Sequence, residues 1–208
     1  MEWLNVAVLA AVSVLGGMRL VACLLEWRGE RQGLSAIWKQ RELYGAAGLW
    51  LLCAGVVYGL TGKLAVVRLA DLAVTYLMLA IVDGRKRVVP DEVLLCFLAA
   101  QLLLGAALQA PTELLSVLLK GVVFAVLMLL VAHFSGERMG MGDAKLLGVT
   151  AMTAGWGYVV QILVLAAFPS FFYSIWLLLF RKARWKEEVP FVPFLAVGVF
   201  ASMVLLLR

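Results

Sequence analysis

Eight apolar runs fill almost the whole chain: roughly Trp3–Leu25, Leu43–Leu60, Leu64–Val82, Glu92–Gln109, Leu114–Phe134, Ala144–Ala154, Tyr158–Phe180 and Phe191–Leu207. A helix of about 20 apolar residues crosses the hydrocarbon core of a bilayer, and most of these runs approach or exceed that length. Apolar residues make up 64% of the chain and charged residues 15%, where a soluble domain has roughly 25% charged. So much apolar surface has no place in a water-soluble fold of 208 residues. The expected fold is all-α, a polytopic transmembrane helical bundle of about eight spans, with the lipid bilayer as its principal partner.

The basic residues orient the bundle. Alternate connections hold Arg28, Arg31, Lys39 and Arg41; Arg85, Lys86 and Arg87; Arg138 and Lys145; and Arg181, Lys182, Arg184 and Lys186. These are thirteen of the 18 basic residues. The other side holds Lys63, Arg68, Lys120 and Arg208, and Arg19 lies within the first run. Cytoplasmic loops carry the excess of Lys and Arg, so both termini are expected to be non-cytoplasmic. The sixth run is short, but without it the block Arg181–Lys186 falls on the wrong side; Gly155-Trp156-Gly157 is the expected turn between it and the seventh.

The net charge of +5 is spread over short blocks between spans, which topology explains without nucleic acid. The start Met1-Glu2-Trp3 lacks the basic n-region of a cleaved signal, so the first run reads as a span that stays. Cys23, Cys53 and Cys96 fall inside apolar runs and form no CxxC pair, and no metal is expected. The chain reads as one membrane-embedded unit over residues 1–208, with a core at 43–208 and a first span, 3–25, that is accessory.

Ionisable groups at membrane depth are costly and mark functional sites. Asp83 closes the third run, in Ile81-Val82-Asp83-Gly84-Arg85-Lys86-Arg87, and Asp143 opens the sixth, in Gly140-Met141-Gly142-Asp143-Ala144-Lys145. The charge distribution sets both at the cytoplasmic edge. Singly, each has a structural role open to it: an aspartate ahead of a helical run is a favoured N-cap, and one beside Arg85-Lys86-Arg87 forms an interfacial ion pair. As a pair at one depth they have a chemical role, because neighbouring carboxylates share a proton and activate a water, as in aspartic proteases. Gly140 and Gly142 let the backbone approach an extended peptide or turn sharply into the helix.

Three blocks stand in order: Asp83 followed by Pro90-Asp91, then Gly140-Met141-Gly142-Asp143-Ala144-Lys145-Leu146, then Val189-Pro190-Phe191-Val192-Pro193-Phe194. Together they resemble the type IV prepilin peptidases, membrane aspartic proteases of the GxGD class. A lone GxGD recurs by chance, but three blocks, each rightly placed relative to the spans, are specific. The resemblance covers roughly Leu43 to the C-terminus. It implies an aspartic endopeptidase of a prokaryotic cytoplasmic membrane, with Asp83 and Asp143 as the catalytic pair and no cofactor. Its substrates would be prepilin-like membrane proteins, cut at the cytoplasmic face just ahead of an apolar helix. It also places Pro190, Phe191 and Pro193 near the site. The Pro-Ala-Leu motif of presenilin-type relatives is absent. Longer members carry a cytoplasmic insert with paired CxxC motifs linked to N-methylation. The corresponding connection here, Glu26 to Glu42, has no cysteine, so the resemblance implies a short form that cleaves without methylating.

Hydrolysing an amide takes a general base for the water and a general acid for the leaving nitrogen. Helix dipoles assign the base to Asp143, at a helix N-terminus, and the initial acid to Asp83, at a C-terminus, by about 0.3–1 kcal/mol. Pro90 reads as architecture, starting the fourth span with preset φ, and Asp91 as the cap of that span. Lys145 reads as snorkelling to the interface, with a carboxylate as its other available partner. His133 reads as interfacial, and Arg68 and Asp71 as a pair on one helix. Two other functions stay open: a GxGD protease with non-pilin substrates, and a non-enzymatic ion- or proton-coupled membrane subunit, which calls for acids near the bilayer midplane on broken helices.

Overall fold

A computed structural model describes residues 2–29, 37, 42–61, 63–135, 139–180 and 190–206. Arg31, Lys39, Arg41, Arg138, the basic block at 181–186, Val189, Leu207 and Arg208 lie outside the described residues. Within them the chain forms helices α1 (Glu2–Arg28), α2 (Glu42–Thr61), α3 (Leu64–Lys86), α4 (Asp91–Leu108), α5 (Pro111–Phe134), α6 (Met141–Ala154), α7 (Trp156–Phe180) and α8 (Val192–Leu206), and no strand. The fold is the expected all-helical bundle of a multi-pass membrane protein.

Among the described residues five segments are long and apolar enough to cross a membrane: Ala7–Arg28, Leu64–Lys86, Asp91–Leu108, Pro111–Phe134 and Trp156–Leu177. Helices α2 and α8 are apolar over the shorter stretches Leu43–Gly59 and Val192–Leu205. Helix α6 is the short one. Its 14 residues rise about 21 Å, less than the roughly 30 Å of a hydrocarbon core. Gly155, with φ of 92°, turns the chain from α6 into α7, at the expected place; that φ suits glycine and strains other residues.

Lipid supplies no hydrophobic drive between helices, so close approach through small residues holds them together. Helix α5 packs along α6, where a Cβ on Gly121 would collide with the backbone of Met152 and one on Gly148 would lie 2.8 Å from Ala125 Cβ. Helix α1 packs against α2, α4 and α3, with Gly17 meeting the backbone of Ala47. Helix α8 lies between α3 and α7. Helix α6 is buried against α4, α5 and α7.

Away from the end that holds Asp83 and Asp143 the bundle encloses a polar network. Arg19 of α1, 0% exposed, is ion-paired to Asp71 of α3 and donates to Thr75 Oγ1. Its guanidinium also lies over Trp50, 4.9 Å from the ring centroid. Gln101 of α4 donates to Asp71 Oδ2 at 3.0 Å and accepts from Arg68 Nε at 3.1 Å, while the far end of Arg68 donates to the carbonyl of Thr153 in α6. The expected pairing of Arg68 with Asp71 along one helix is therefore corrected. Each takes partners on other helices, because at this depth every donor and acceptor must be satisfied by protein and neighbouring helices offer more than one turn of the same helix can.

Removing one member of a buried ion pair strands the other. Arg19→Leu or Asp71→Leu alone is expected to lower stability by roughly 3–5 kcal/mol, and the double variant by much less than the two losses added. Unfolding of the purified protein in detergent, run as a double-mutant cycle, measures this; additive losses would show that the pair is not coupled.

Candidate active site

Helix α3 ends one turn after Asp83. Arg87 closes it in the left-handed conformation, φ 54°, its N–H donating to the Asp83 carbonyl at 2.9 Å. The chain then runs through Val88 and Val89, outside any helix, to Pro90, the N-cap of α4, whose φ of −67° suits a helix start. Asp83 is 6% exposed, and its Oδ2 accepts the N–H of Val192, the first residue of α8, at 3.2 Å. An orphan amide at a helix N-terminus is a natural partner for a carboxylate.

Asp143 comes from the opposite side of the same space. It is the third residue of α6, behind the N-cap Gly140, and is half-buried. The helix can start there because its first turn is thin: a Cβ on Gly142 would sit 3.0 Å from Val89 Cβ, and one on Gly140 would sit 3.0 Å from Asp143 Oδ2. The glycines thus serve close approach, with neither in a left-handed conformation. Burial, and after it the charge of Asp83, push the Asp143 carboxyl up to about 6.

Asp83 and Asp143 line one cavity of about 700 Å³, with Arg87, Asp91, Lys145 and Phe191 among its other walls. Lys145 Nζ contacts Asp91 Oδ1 at 2.7 Å and Oδ2 at 3.0 Å, a partly exposed pair that joins α6 to the start of α4. Among the described residues no group of three His, Cys, Asp or Glu side chains has the arrangement to hold a metal ion.

Of the residues singled out in the sequence, Asp83, Gly140, Gly142, Asp143, Lys145, Pro190 and Phe191 all line the cavity. Pro90 and Pro193 do not: Pro90 caps α4, and Pro193 is the second residue of α8. Three capping or interfacial expectations are corrected. Gly140 is the N-cap of α6, so Asp143 is free of that duty; Asp91 makes no capping hydrogen bond and holds Lys145, which in turn is paired with a carboxylate. His133 is exposed, edge-on to Phe134 at 5.5 Å. Sequence reasoning missed the Val192 amide. Its signal was the pair Pro190 and Pro193: a helix starting between two prolines leaves the N–H groups of Phe191 and Val192 to offer.

Residues 70–175 match the model of the type IV leader peptidase family, a stretch that contains both aspartates and the glycines. The chain is 28% identical over 141 residues to a prepilin leader peptidase/N-methyltransferase of Aeromonas hydrophila, covering 65% of this chain and 49% of that protein. It is 27% identical over 189 residues to the protein of the same name from Aeromonas salmonicida (strain A449), covering 86% of this chain and 64% of the relative. The chain thus spans about half to two thirds of the length of these relatives. No solved structure matches it.

The raised Asp143 carboxyl has a consequence for stability. A carboxyl whose value rises on folding from 3.8 to about 6 favours the unfolded state, increasingly as pH climbs through that window and constantly above it. Asp143→Asn, neutral and of the same shape, is expected to stabilise the protein at pH 7.5 by on the order of 1–3 kcal/mol, with the gain vanishing near pH 4. Thermal unfolding in detergent at the two pH values checks this; equal midpoints at both would contradict it.

Proposed function

This chain belongs to the type IV leader peptidase family, and we propose that it is a membrane aspartic endopeptidase of a prokaryotic cytoplasmic membrane. Its substrates are prepilin-like membrane proteins, and it removes their leader at the cytoplasmic face. The observation that carries this reading is the meeting of Asp83 and Asp143 in one cavity at matching ends of α3 and α6. Thirteen basic residues on the connections of that side support its being the cytoplasmic face, with both termini opposite.

In this mechanism the pair begins with one proton. Asp83 starts as the anion, since a backbone N–H of α8 donates to it, and Asp143, pushed up to about 6 by burial and by the Asp83 charge, is the member that takes up the shared proton. Asp83 takes a proton from water as the oxygen attacks the scissile carbonyl carbon. Asp143 protonates the carbonyl oxygen and then, with the roles exchanged, a carboxyl proton passes to the leaving nitrogen as the C–N bond breaks. This reverses the assignment by helix dipoles, which weighed each aspartate against its own helix and left out the N-terminus of α8. The ionisations belong to the pair rather than to either residue. The relatives' names carry a second activity, N-methyl transfer; with no cysteine in the connection Glu26 to Glu42, we propose proteolysis alone.

Co-expression with a membrane protein bearing a basic leader and an apolar helix tests the proposal. Wild type is expected to shorten the substrate, and Asp83→Asn and Asp143→Asn each to reduce processing by at least about 10²-fold. The pH profile of kcat/KM is expected to show two ionisations, one lost in each variant. Processing that survives both substitutions would end the peptidase reading.

A further inference from the structure

The two aspartates sit on helices whose main packing partners differ. Helix α6 packs chiefly against α5, α4 and α7, whereas α3 packs chiefly against α8, α1, α4 and α2. Polar side chains link α3 to α6. Tyr76 of α3 and Thr150 of α6, both 0% exposed, share a hydrogen bond of 2.8 Å between their hydroxyls. Thr150 Oγ1 also donates to the carbonyl of Leu146 at 2.9 Å. A hydroxyl has one proton, so Tyr76 is the donor and Thr150 the acceptor.

The register of this bond is informative. Tyr76 is seven residues before Asp83 on α3, and Thr150 is seven after Asp143 on α6, two turns in each case. The helices run in opposite directions, so the rung lies on the same faces as the carboxylates and roughly 10 Å deeper. We propose that Tyr76 and Thr150 are positioning residues, whose bond sets the separation of Asp83 from Asp143 and with it the sharing of a proton between them. Tyr76 is rigid, buried and hydrogen-bonded at its far end, which makes it a spacer of defined length. Nothing in a peptidase reaction calls for a phenol at that depth, and among the described residues the bond is the hydrogen-bonded link between α3 and α6 nearest the cavity. The other charges facing the pair, Arg87 at the end of α3, Asp91 at the start of α4 and Lys145 on α6, are left in place by changes at Tyr76 or Thr150.

This inference rests on the dyad reading, and its test keeps the two apart. The full chain in proteoliposomes is titrated by infrared spectroscopy of the carboxyl C=O stretch, which needs no substrate; Asp83→Asn and Asp143→Asn assign the bands. In wild type the two ionisations are expected to be split by coupling. Tyr76→Phe removes one oxygen and Thr150→Val one hydroxyl; both are expected to change the splitting in the same direction by about half a pH unit or more, while Thr150→Ser retains it. In the cleavage assay kcat is expected to fall about 10-fold, with KM within about twofold of wild type. A splitting unchanged in Tyr76→Phe overturns the inference even if activity falls, since a loss of packing alone leaves the pair's coupling intact. Carboxyls that titrate independently in wild type overturn the dyad, and this inference with it.

Discussion

A polar group inside the bundle has no water to turn to, and the placement of almost every functional side chain here follows from that constraint. Arg19, Asp71, Thr75, Gln101 and Arg68 satisfy one another across α1, α3 and α4 because each, unpaired, would cost several kcal/mol. The same rule operates at the other end, where Asp83 finds the Val192 amide. What differs is completeness. The inner network closes on itself, whereas Asp83 and Asp143 face a cavity of about 700 Å³. An incompletely compensated pair of acids is a poor contribution to stability and a good starting point for acid–base chemistry.

The electrostatics of that pair depend on three helix ends rather than two. Asp83 lies near the C-terminus of α3, which disfavours its charge, and against the N-terminus of α8, which favours it and supplies a hydrogen bond besides. Asp143 lies in the first turn of α6 without bonding to that turn's amides, and its burial outweighs the dipole. Asp91 contributes by holding Lys145, whose ammonium is only two residues from Asp143 in the chain.

The helices were legible because an apolar run of about 20 residues has few other uses, and the short sixth helix was legible only through the charge count. The aspartates were legible as a pair because both fall at span ends on one side. Contacts between distant residues were not. Nothing in the sequence couples Arg19 to Asp71, 52 residues away, or Tyr76 to Thr150, 74 away; local spacing instead offered Arg68 as the partner of Asp71. Backbone donors were invisible for a related reason, since the residue name Val192 says nothing about what its N–H meets.

Arg68 shows how these strands join. A helix of 14 residues ends with its last carbonyls buried, Thr153 being 1% exposed, and such carbonyls lack intrahelical donors. Gly155 N–H satisfies that of Ala151, and the Arg68 guanidinium reaches across from α3 to take that of Thr153. A short α6 is therefore tolerable because α3 caps it. The same two helices are linked again at Tyr76–Thr150 and face each other a third time at Asp83 and Asp143. The seam that lets α6 stop early in the bundle is the seam along which the two carboxylates are aligned.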